Sequence, residues 1–321
     1  MNDQHHYLVS KLKELASELG RVPMMHEFTA KLPRVDVFGL FGTYDKMLMA
    51  AGLMGIESDN DFKHREPKIL FLDIETKPIK AHVWDIWDQN IGIEMIIEDW
   101  SILSWAAKWL GKDEVLYQDL SQNVDYTKDE LIVRGVWELL DQADVVIGQN
   151  SDKFDIKKLQ AKFEEYGIGQ PSHYKSVDTL KIMKKHLGLT SKKLAFATDK
   201  YNKKYKKLKH EKYAGVSLWL ECLKGNQDAW DCMREYNCWD VLSLEELYID
   251  HLRKWDKSIN YGVYTGEKHC CTNCGSVDLK EGEYLFTKTG AFKNYRCNVC
   301  NTNCTSKNNE ISDSLKKSLL K

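Results

Sequence analysis

Hydrophobic and polar positions recur at helical spacing near the N-terminus and change to strand-like runs at Lys68. In the segment YLVSKLKELASELG, apolar residues fall every three or four positions and the pattern stops at Gly20, which predicts an amphipathic helix. Further short helical segments follow Pro23, so residues 1–55 are predicted to form a small all-α module. Residues 56–67 are polar and charged, which is typical of a linker.

Short apolar runs follow the linker and predict an α/β domain over residues 68–257. The segments KILFLDIET, WSILSWAAKWL and EVLYQDL are typical of three strands, and DVVIGQN is typical of a fourth. Helices are predicted over residues 127–142, in FDIKKLQAKFEEYG, and from SVDTLKIMKKHLG to about residue 257. This order of strands and helices predicts a mixed sheet flanked by helices.

The spacing of the cysteines predicts a third region. Six of the nine cysteines lie within residues 270–304, where two CxxC pairs are separated by 22 residues and flank a β-prone stretch. Four thiolates suit one tetrahedral, structural Zn²⁺, which predicts a zinc ribbon over residues 268–304. The predicted ligands are Cys271, Cys274, Cys297 and Cys300, with His269, Cys270 and Cys304 close enough in sequence to replace one of them. Residues 305–321 are predicted to be a flexible tail.

Composition and charge narrow the class of protein. No apolar run is long enough to span a bilayer, and the first residues lack a signal-peptide pattern, so we expect a cytoplasmic protein without a membrane partner. Residues 69–155 contain seven Lys and Arg against 18 Asp and Glu, whereas residues 156–212 contain 16 Lys against five Asp and Glu. The basic segment suits a polyanion such as a nucleic acid.

Two further features are candidates for substrate contact. Tyrosines are interleaved with seven lysines in residues 200–212, which predicts phosphate contacts, although a solvated helix face would give the same pattern. The lysines expected to bind substrate are Lys203, Lys204, Lys206 and Lys207. Trp84 and Trp87 follow the first strand and are the tryptophans most suited to contact substrate.

Acidic residues at two separate places favour a metal centre. Asp73 and Glu75 are two positions apart on a predicted strand, so their side chains leave the same face. Tyr236 and Asp240 are four positions apart on a predicted helix and share one of its faces. Carboxylates placed side by side repel one another, and bound cations remove that conflict.

A further carboxylate follows the fourth predicted strand. Asp155 stands at the start of the next helix, where an acidic side chain is electrostatically favoured. Asp152 is its rival, but its position suits a helix N-cap, so we assign it a structural role.

FLDIET, GQNSDKFD and YxxxD, in this order, resemble the motifs of the DEDD exonuclease superfamily. The tyrosine is similar to that of the DEDDy branch, because the position five residues before Asp240, where the histidine branch carries its histidine, is Glu235. The resemblance covers about 68–255 and looks closest to ribonuclease-H-like exonucleases of bacteria and phages. It implies a ribonuclease-H-like fold and 3′–5′ hydrolysis of phosphodiester bonds.

The same resemblance implies a role for each matching residue. The two Mg²⁺ or Mn²⁺ ions would be held by Asp73, Glu75, Asp155 and Asp240. Tyr236 would position the attacking water, one metal would generate hydroxide and the other would stabilise the leaving 3′ oxygen. Asn150 is expected to shape a turn or contact substrate, and Asp178 to cap a helix or support the site from outside.

The N-terminal module resembles the helical repeat found beside HNH homing endonucleases. The shared points include the LG-x-x-P turn, Phe28, Tyr44 and the terminal Ala-Gly-Leu. The resemblance implies a DNA-binding module, and a bundle that only packs on the nuclease domain is the alternative. DNA is therefore the favoured substrate, with a replication or repair protein as a further partner. An RNA exonuclease, a structure-selective endonuclease and a non-catalytic nucleic-acid-binding adaptor remain open.

Overall fold

The computed structural model divides into two compact units, Met1–His64 and Arg65–Lys321. The described residues are 3–23, 25–32, 37–41, 44–53, 64–206 and 212–319. Most of the predicted linker 56–67 lies outside them, so its bounds remain a prediction.

The first unit is all-α, in line with the helical periodicity of its sequence. Its helices are α1 (Asp3–Leu19), α2 (Met25–Lys31), α3 (Val37–Phe41) and α4 (Tyr44–Ala50). The apolar face of α1 buries Leu8, Leu12 and Leu15 in a core that includes Phe28 and Met47. Burial of these side chains, at up to about 3 kcal/mol each, holds together helices too short to be stable alone.

The second unit contains an α/β domain around a five-stranded sheet. Its strands are β1 (Ile69–Thr76), β2 (Lys80–Ala81), β3 (Ile96–Glu98), β4 (Ile102–Trp109), β5 (Leu116–Asp119), β6 (Val145–Gly148) and β7 (Lys175–Asp178). Its helices are α5 (Glu130–Gln142), α6 (Asp155–Glu165), α7 (Thr179–His186), α8 (Leu194–Tyr201), α9 (Ser217–Leu223) and α10 (Gln227–Leu247). The strand order is β5-β4-β1-β6-β7, while β2 and β3 form a separate hairpin.

Sheet pairing confirms the predicted mixed α/β fold. Strands β5, β4 and β1 are antiparallel, whereas β1, β6 and β7 are parallel. The parallel strands β1 and β6 are mostly buried, as their nearly continuous apolar sequences require, whereas β7 lies at the edge of the sheet.

The two faces of β1 explain how the sheet meets its helices. Leu70 and Leu72 pack in one core cluster, and Ile69 and Phe71 pack in the other, where they meet Val241 of α10. Because side chains alternate along a strand, Asp73 and Glu75 continue the row of Ile69 and Phe71. The acidic end of β1 therefore lies on the face that α10 covers.

Two elements differ from the sequence prediction. Residues 175–178, predicted as the start of a helical region, form β7, and Asp178 is the N-cap of α7. The strand is only four residues long and Val177 is its one buried apolar residue, so periodicity could not separate it from the helix. The β2–β3 hairpin was also not predicted, since its two paired residues in β2 leave no pattern.

The cysteine-rich region forms a small antiparallel sheet. Its elements are α11 (Tyr261–Thr265), β8 (Leu279–Glu281), β9 (Leu285–Thr287), β10 (Gly290–Cys297), β11 (Asn303–Asn309) and α12 (Asp313–Ser318). The predicted flexible tail 305–321 is a poor description of this part, because β11 pairs with β10 and α12 follows it. Polar side chains concealed that strand, which is stabilised by backbone pairing and the burial of Cys304.

The ribbon is joined to the end of the long helical region by hydrogen bonds. Asn273, between two of the predicted zinc ligands, donates to the carbonyl of Asp256 at 2.8 Å. Arg253 donates from Nε to the carbonyl of Asn273 at 2.7 Å. Within the described ranges, no helix is both long enough and apolar enough to cross a membrane.

Candidate metal centres

The first candidate centre begins at the end of β1. Asp73 and Glu75 are partly buried, and a register shift between Glu75 and Thr76 ends the regular pairing with β4. The alternation of the strand aims both carboxyls at the face covered by α10. The bulge re-aims the chain directly after them, as bulges near functional sites commonly do.

Asp155 reaches the same place from α6. It is the first residue of that helix, it is only 4% exposed, and its Oδ1 accepts a hydrogen bond from the backbone N–H of Ile74 at 3.1 Å. Ile74 lies between Asp73 and Glu75, so this bond brings the third carboxyl beside the first two.

Helix α10 brings Tyr236 and Asp240 to the cluster. The two residues are one helical turn apart, and their side chains are hydrogen-bonded to each other. The Tyr236 ring contacts the Trp219 ring edge-on, with centroids 6.1 Å apart. The five residues predicted from the sequence therefore meet at one place.

The electrostatic environment of this cluster favours the protonated, neutral form of its carboxyl groups. Burial, followed by the charges of Asp155, Glu75 and Asp240, raises the pKa of Asp73 well above its ordinary value. Burial and the charge of Asp240 raise the pKa of Glu75 to about 8, against a hydrogen bond from Trp219 that lowers it. Burial raises the pKa of Asp155 to about 7, against the bond from Ile74.

Raised pKa values of this kind are expected where buried carboxylates lie close together. Carboxylates that repel one another in a partly buried place require either protons or cations near neutral pH. Burial and the same carboxyls raise the pKa of Tyr236, so its phenol stays protonated. Tyr236 can therefore orient a water molecule, but it is unsuited to take a proton from it.

Two supporting residues were missed in the sequence. Asn237 is fully buried, and its Nδ2 donates to Oδ2 of Asp73 at 2.7 Å while its Oδ1 accepts from Ser104 at 3.1 Å. Trp219 donates from Nε1 to Glu75 at 3.1 Å. A buried polar residue beside Tyr236 has no distinguishing pattern, and Trp219 precedes α10 without any motif, so only the fold identifies them.

Asp152, the alternative to Asp155, is hydrogen-bonded to residues of β7 and α7. It is bound by Ser176 of β7 and by Lys181 of α7, whose Nζ lies 2.6 Å from Oδ2. It is not the N-cap of α6, because Phe154 occupies that position.

Asp178 and Asn150 shape the turn after β6. Asp178 accepts from the backbone N–H groups of Leu180 and Asn150, both at 2.9 Å, which matches its expected capping role. Asn150 has a φ of 62° and accepts two backbone hydrogen bonds within the turn. It also lines an open cleft with Lys192 and Lys193.

The basic segment begins as a loop after α8. Backbone N–H groups of Lys203 and Lys204 donate to the Glu246 carboxylate of α10, at 2.6 and 3.1 Å. The side chains of Lys203, Lys204 and Lys206 are exposed, and the Lys206 carbonyl accepts from Trp239, the neighbour of Asp240. The alternative of a solvated helix face therefore does not apply to residues 202–206, and the predicted phosphate contacts stay a prediction. Lys207 lies outside the described residues.

The second candidate centre is formed by four cysteines. Among the described residues, the one group of three or more His, Cys, Asp or Glu whose ligand atoms all lie within 4.8 Å of one another is Cys271, Cys274, Cys297 and Cys300. Sulfur–sulfur distances of 3.5 Å for Cys271 to Cys300 and 3.6 Å for Cys274 to Cys297 fit four thiolates around one ion. Four cysteines this close together could hold zinc.

The alternative ligands lie outside this group. Cys304 Sγ is 3.8 Å from Cys271 Sγ, and it accepts the N–H of Thr272 at 3.5 Å. Cys270 donates to the carbonyl of Glu267, and the His269 ring packs edge-on against Tyr295 at 4.5 Å.

Comparisons with known proteins agree with this architecture. Residues 4–54 match the homing endonuclease associated repeat, and residues 101–252 match the RNase H superfamily. The latter match includes Asp155, Tyr236 and Asp240 but begins after β1, so it does not cover Asp73 and Glu75. No curated protein matches the chain.

A solved structure, the family B DNA polymerase from the hyperthermophilic archaeon Pyrobaculum calidifontis, is similar over 72% of this chain at 14% identity and a TM-score of 0.42. The chain spans only 32% of the length of that polymerase. The matches to the family models, a homing endonuclease associated repeat followed in the sequence by an RNase H-like region, support a nuclease.

Proposed function

We propose that the protein is a metal-dependent 3′–5′ exonuclease of the DEDDy type that hydrolyses phosphodiester bonds of DNA. One observation carries the proposal: Asp73, Glu75, Asp155 and Asp240 converge from β1, α6 and α10, where burial raises the pKa values of Asp73, Glu75 and Asp155 and the charge of Asp240 further raises those of Asp73 and Glu75. A structural role would not require such an unfavourable arrangement of charge.

The donor set fits hard divalent cations. Carboxylate oxygens are the ligands that Mg²⁺ and Mn²⁺ prefer, and they are poor ligands for softer metals. Two such ions, held by Asp73, Glu75, Asp155 and Asp240, would supply a hydroxide nucleophile near neutral pH and stabilise the leaving 3′ oxygen.

The surrounding residues orient the reacting groups. The Tyr236 phenol, protonated and hydrogen-bonded to Asp240, is placed to position the attacking water. Asn237 fixes the Asp73 carboxyl, and Trp219 fixes that of Glu75. Locked carboxyls preserve the spacing of the two metals when substrate binds.

Substrate contacts are assigned to basic and polar residues outside the carboxylate cluster. Lys203, Lys204, Lys206 and Lys207 are proposed to neutralise phosphates, and Asn150 to contact the strand from the wall of the cleft that it shares with Lys192 and Lys193. The N-terminal repeat is proposed to hold duplex DNA. One Zn²⁺ on the four cysteines is proposed to be structural.

The test is hydrolysis of 5′-labelled substrates with Mg²⁺ or Mn²⁺. Single-stranded DNA should give a ladder that shortens from the 3′ end, a circular strand should remain intact, and Asp73→Ala should give no products. Internal cuts would indicate an endonuclease, a preference for RNA would change the substrate, and no products would favour the adaptor.

A further inference from the structure

One hairpin of the cysteine-rich region is exposed along its first strand and its turn. We call residues 284–296 the ribbon arm; it contains β9, the turn at Lys288 and β10 up to the residue before the predicted zinc ligand Cys297. All residues from 284 to 289 are exposed, and β9 pairs with β10 alone. The arm carries side chains for which the four-cysteine site has no use.

Two aromatic rings lie side by side on this arm. Tyr284 and Phe286 are two positions apart, so they share one face of the strand, and their ring centroids are 6.4 Å apart. Phe286 is 75% exposed and Tyr284 44%. The residue paired with Phe286 is Ala291, whose small side chain leaves the ring face uncovered.

The positive charge of the ribbon arm favours a negatively charged partner. Lys288, Lys293 and Arg296 lie in it, and it contains no acidic residue. Glu281 and Glu283 precede it, and Glu281 is 3.9 Å from Lys293. Exposed aromatic rings beside cations suit unpaired nucleotides, which offer a flat base to each ring and a phosphate to each cation.

The β2–β3 hairpin also exposes aromatic rings, but the charge around them is negative. Trp84 is 95% exposed and Trp87 79%, but residues 80–98 contain one lysine against four acidic residues. Phosphates would be repelled there. Aromatic exposure alone therefore does not identify a nucleic-acid surface in this protein, whereas exposure with positive charge does.

We propose that the ribbon arm binds the unpaired bases of a single-stranded nucleic acid by stacking on Tyr284 and Phe286, with Lys288 contacting a phosphate. The proposal rests on the proposed function only for the choice of nucleic acid as ligand. It adds a second contact, separate from the carboxylates, that would favour long single strands over short ones.

The test is fluorescence anisotropy of the full-length protein with a labelled 20-nucleotide thymidine strand. The buffer contains neither Mg²⁺, Mn²⁺ nor a chelator, so the zinc stays bound, and a gel checks that the strand is intact. The Tyr284→Ala/Phe286→Ala variant should weaken binding by about tenfold or more, and Tyr284→Phe/Phe286→Tyr should bind like wild type. Lys288→Ala should reduce the slope of log K against log salt by about 0.7.

A matched control separates stacking from general apolar contact. Val277→Ala/Val299→Ala removes two other exposed apolar side chains of the same region and should leave the affinity unchanged. Zinc content and melting temperature confirm that each variant is folded. The proposal is overturned if the aromatic variant binds within twofold of wild type, or if the valine variant loses as much affinity.

Binding to duplex DNA distinguishes this proposal from the proposed function. Blunt duplex DNA should bind equally to wild type and the aromatic variant, because its bases are stacked inside the helix; an equal loss on duplex would contradict base stacking. These experiments measure binding and no turnover. A protein without nuclease activity could therefore show the expected binding, and an active nuclease could lack it.

Discussion

The two candidate metal centres differ in how the chain builds them. The cysteine site takes its four ligands from 30 consecutive residues, 271–300, whereas the carboxylate site draws on residues 73 to 240 and on three separate elements. The thiols pack against one another at 3.5–3.6 Å, whereas three of the carboxyls are each oriented by a hydrogen bond from Ile74, Trp219 or Asn237.

This difference indicates two purposes. A closed set of four thiolates leaves no position for a substrate, so it suits a structural ion. Carboxyls that are oriented by other donors suit ions that must also bind a phosphate. Removing one ligand should therefore affect catalysis at the first site and folding at the second.

The largest expected effect comes from Asp155. Replacing it by Ala should lower the cleavage rate by about a thousandfold or more, since a lost metal ligand removes several kcal/mol of transition-state stabilisation. Initial rates on labelled single-stranded DNA measure this. Asp152→Ala is the matched control, because Asp152 is bound to Ser176 and Lys181 and should be dispensable for cleavage. Equal losses in both variants would refute the distinction.

Loss of the Tyr236 hydroxyl should have the next largest effect. Tyr236→Phe keeps the ring against Trp219 but removes the group that positions water, so we expect a loss of turnover of about 10²-fold with little change in substrate affinity. Tyr174→Phe, at another partly buried tyrosine, serves as control. A smaller loss would reduce Tyr236 to a packing residue.

Removing a zinc ligand should change stability more than chemistry. Cys297→Ser should reduce bound zinc from about one equivalent to a small fraction and lower the melting temperature, because metal binding and local folding are coupled. Elemental analysis and thermal denaturation measure both. Cys232→Ser, at a cysteine outside the site, should retain its zinc; retention in Cys297→Ser as well would show that the ligand set is wrong.

The smallest expected effect is on the pH dependence of stability. Folding raises the pKa of Glu75 from 4.5 to about 8 and that of Asp155 from 3.8 to about 7, so their contribution is complete below about pH 4 and is lost as the pH rises through 7–8. Without divalent cations, the melting temperature should fall over this range, and by a few degrees less in Glu75→Gln. Added Mg²⁺ should abolish the fall in wild type. The exposed Glu114→Gln is the control, and equal slopes in all three proteins would contradict the pKa shifts.

The sequence predicts individual strands and closely spaced ligands well, but it predicts contacts between residues far apart in the chain poorly. Strands β1, β4, β5 and β6 and the four cysteines were predicted because burial or fixed spacing leaves a periodic pattern. Strand β7 was missed because one apolar residue cannot define a period, and Asn237 because only the packing of α10 on β1 brings it to Asp73. The sequence favoured Asp155 over Asp152 only by its position in a motif, and the hydrogen bond from Ile74 to Asp155, across 81 residues, is a contact that no local pattern predicts.

Binding of Mn²⁺, measured by electron paramagnetic resonance, tests the central claim most directly because it requires no turnover. With the zinc site filled, wild type and Asp152→Ala should each bind two Mn²⁺ per chain in the presence of a nucleotide monophosphate, and Asp73→Ala should bind at most one. Two ions in Asp73→Ala, or none in wild type, would contradict a metal centre built on these carboxylates.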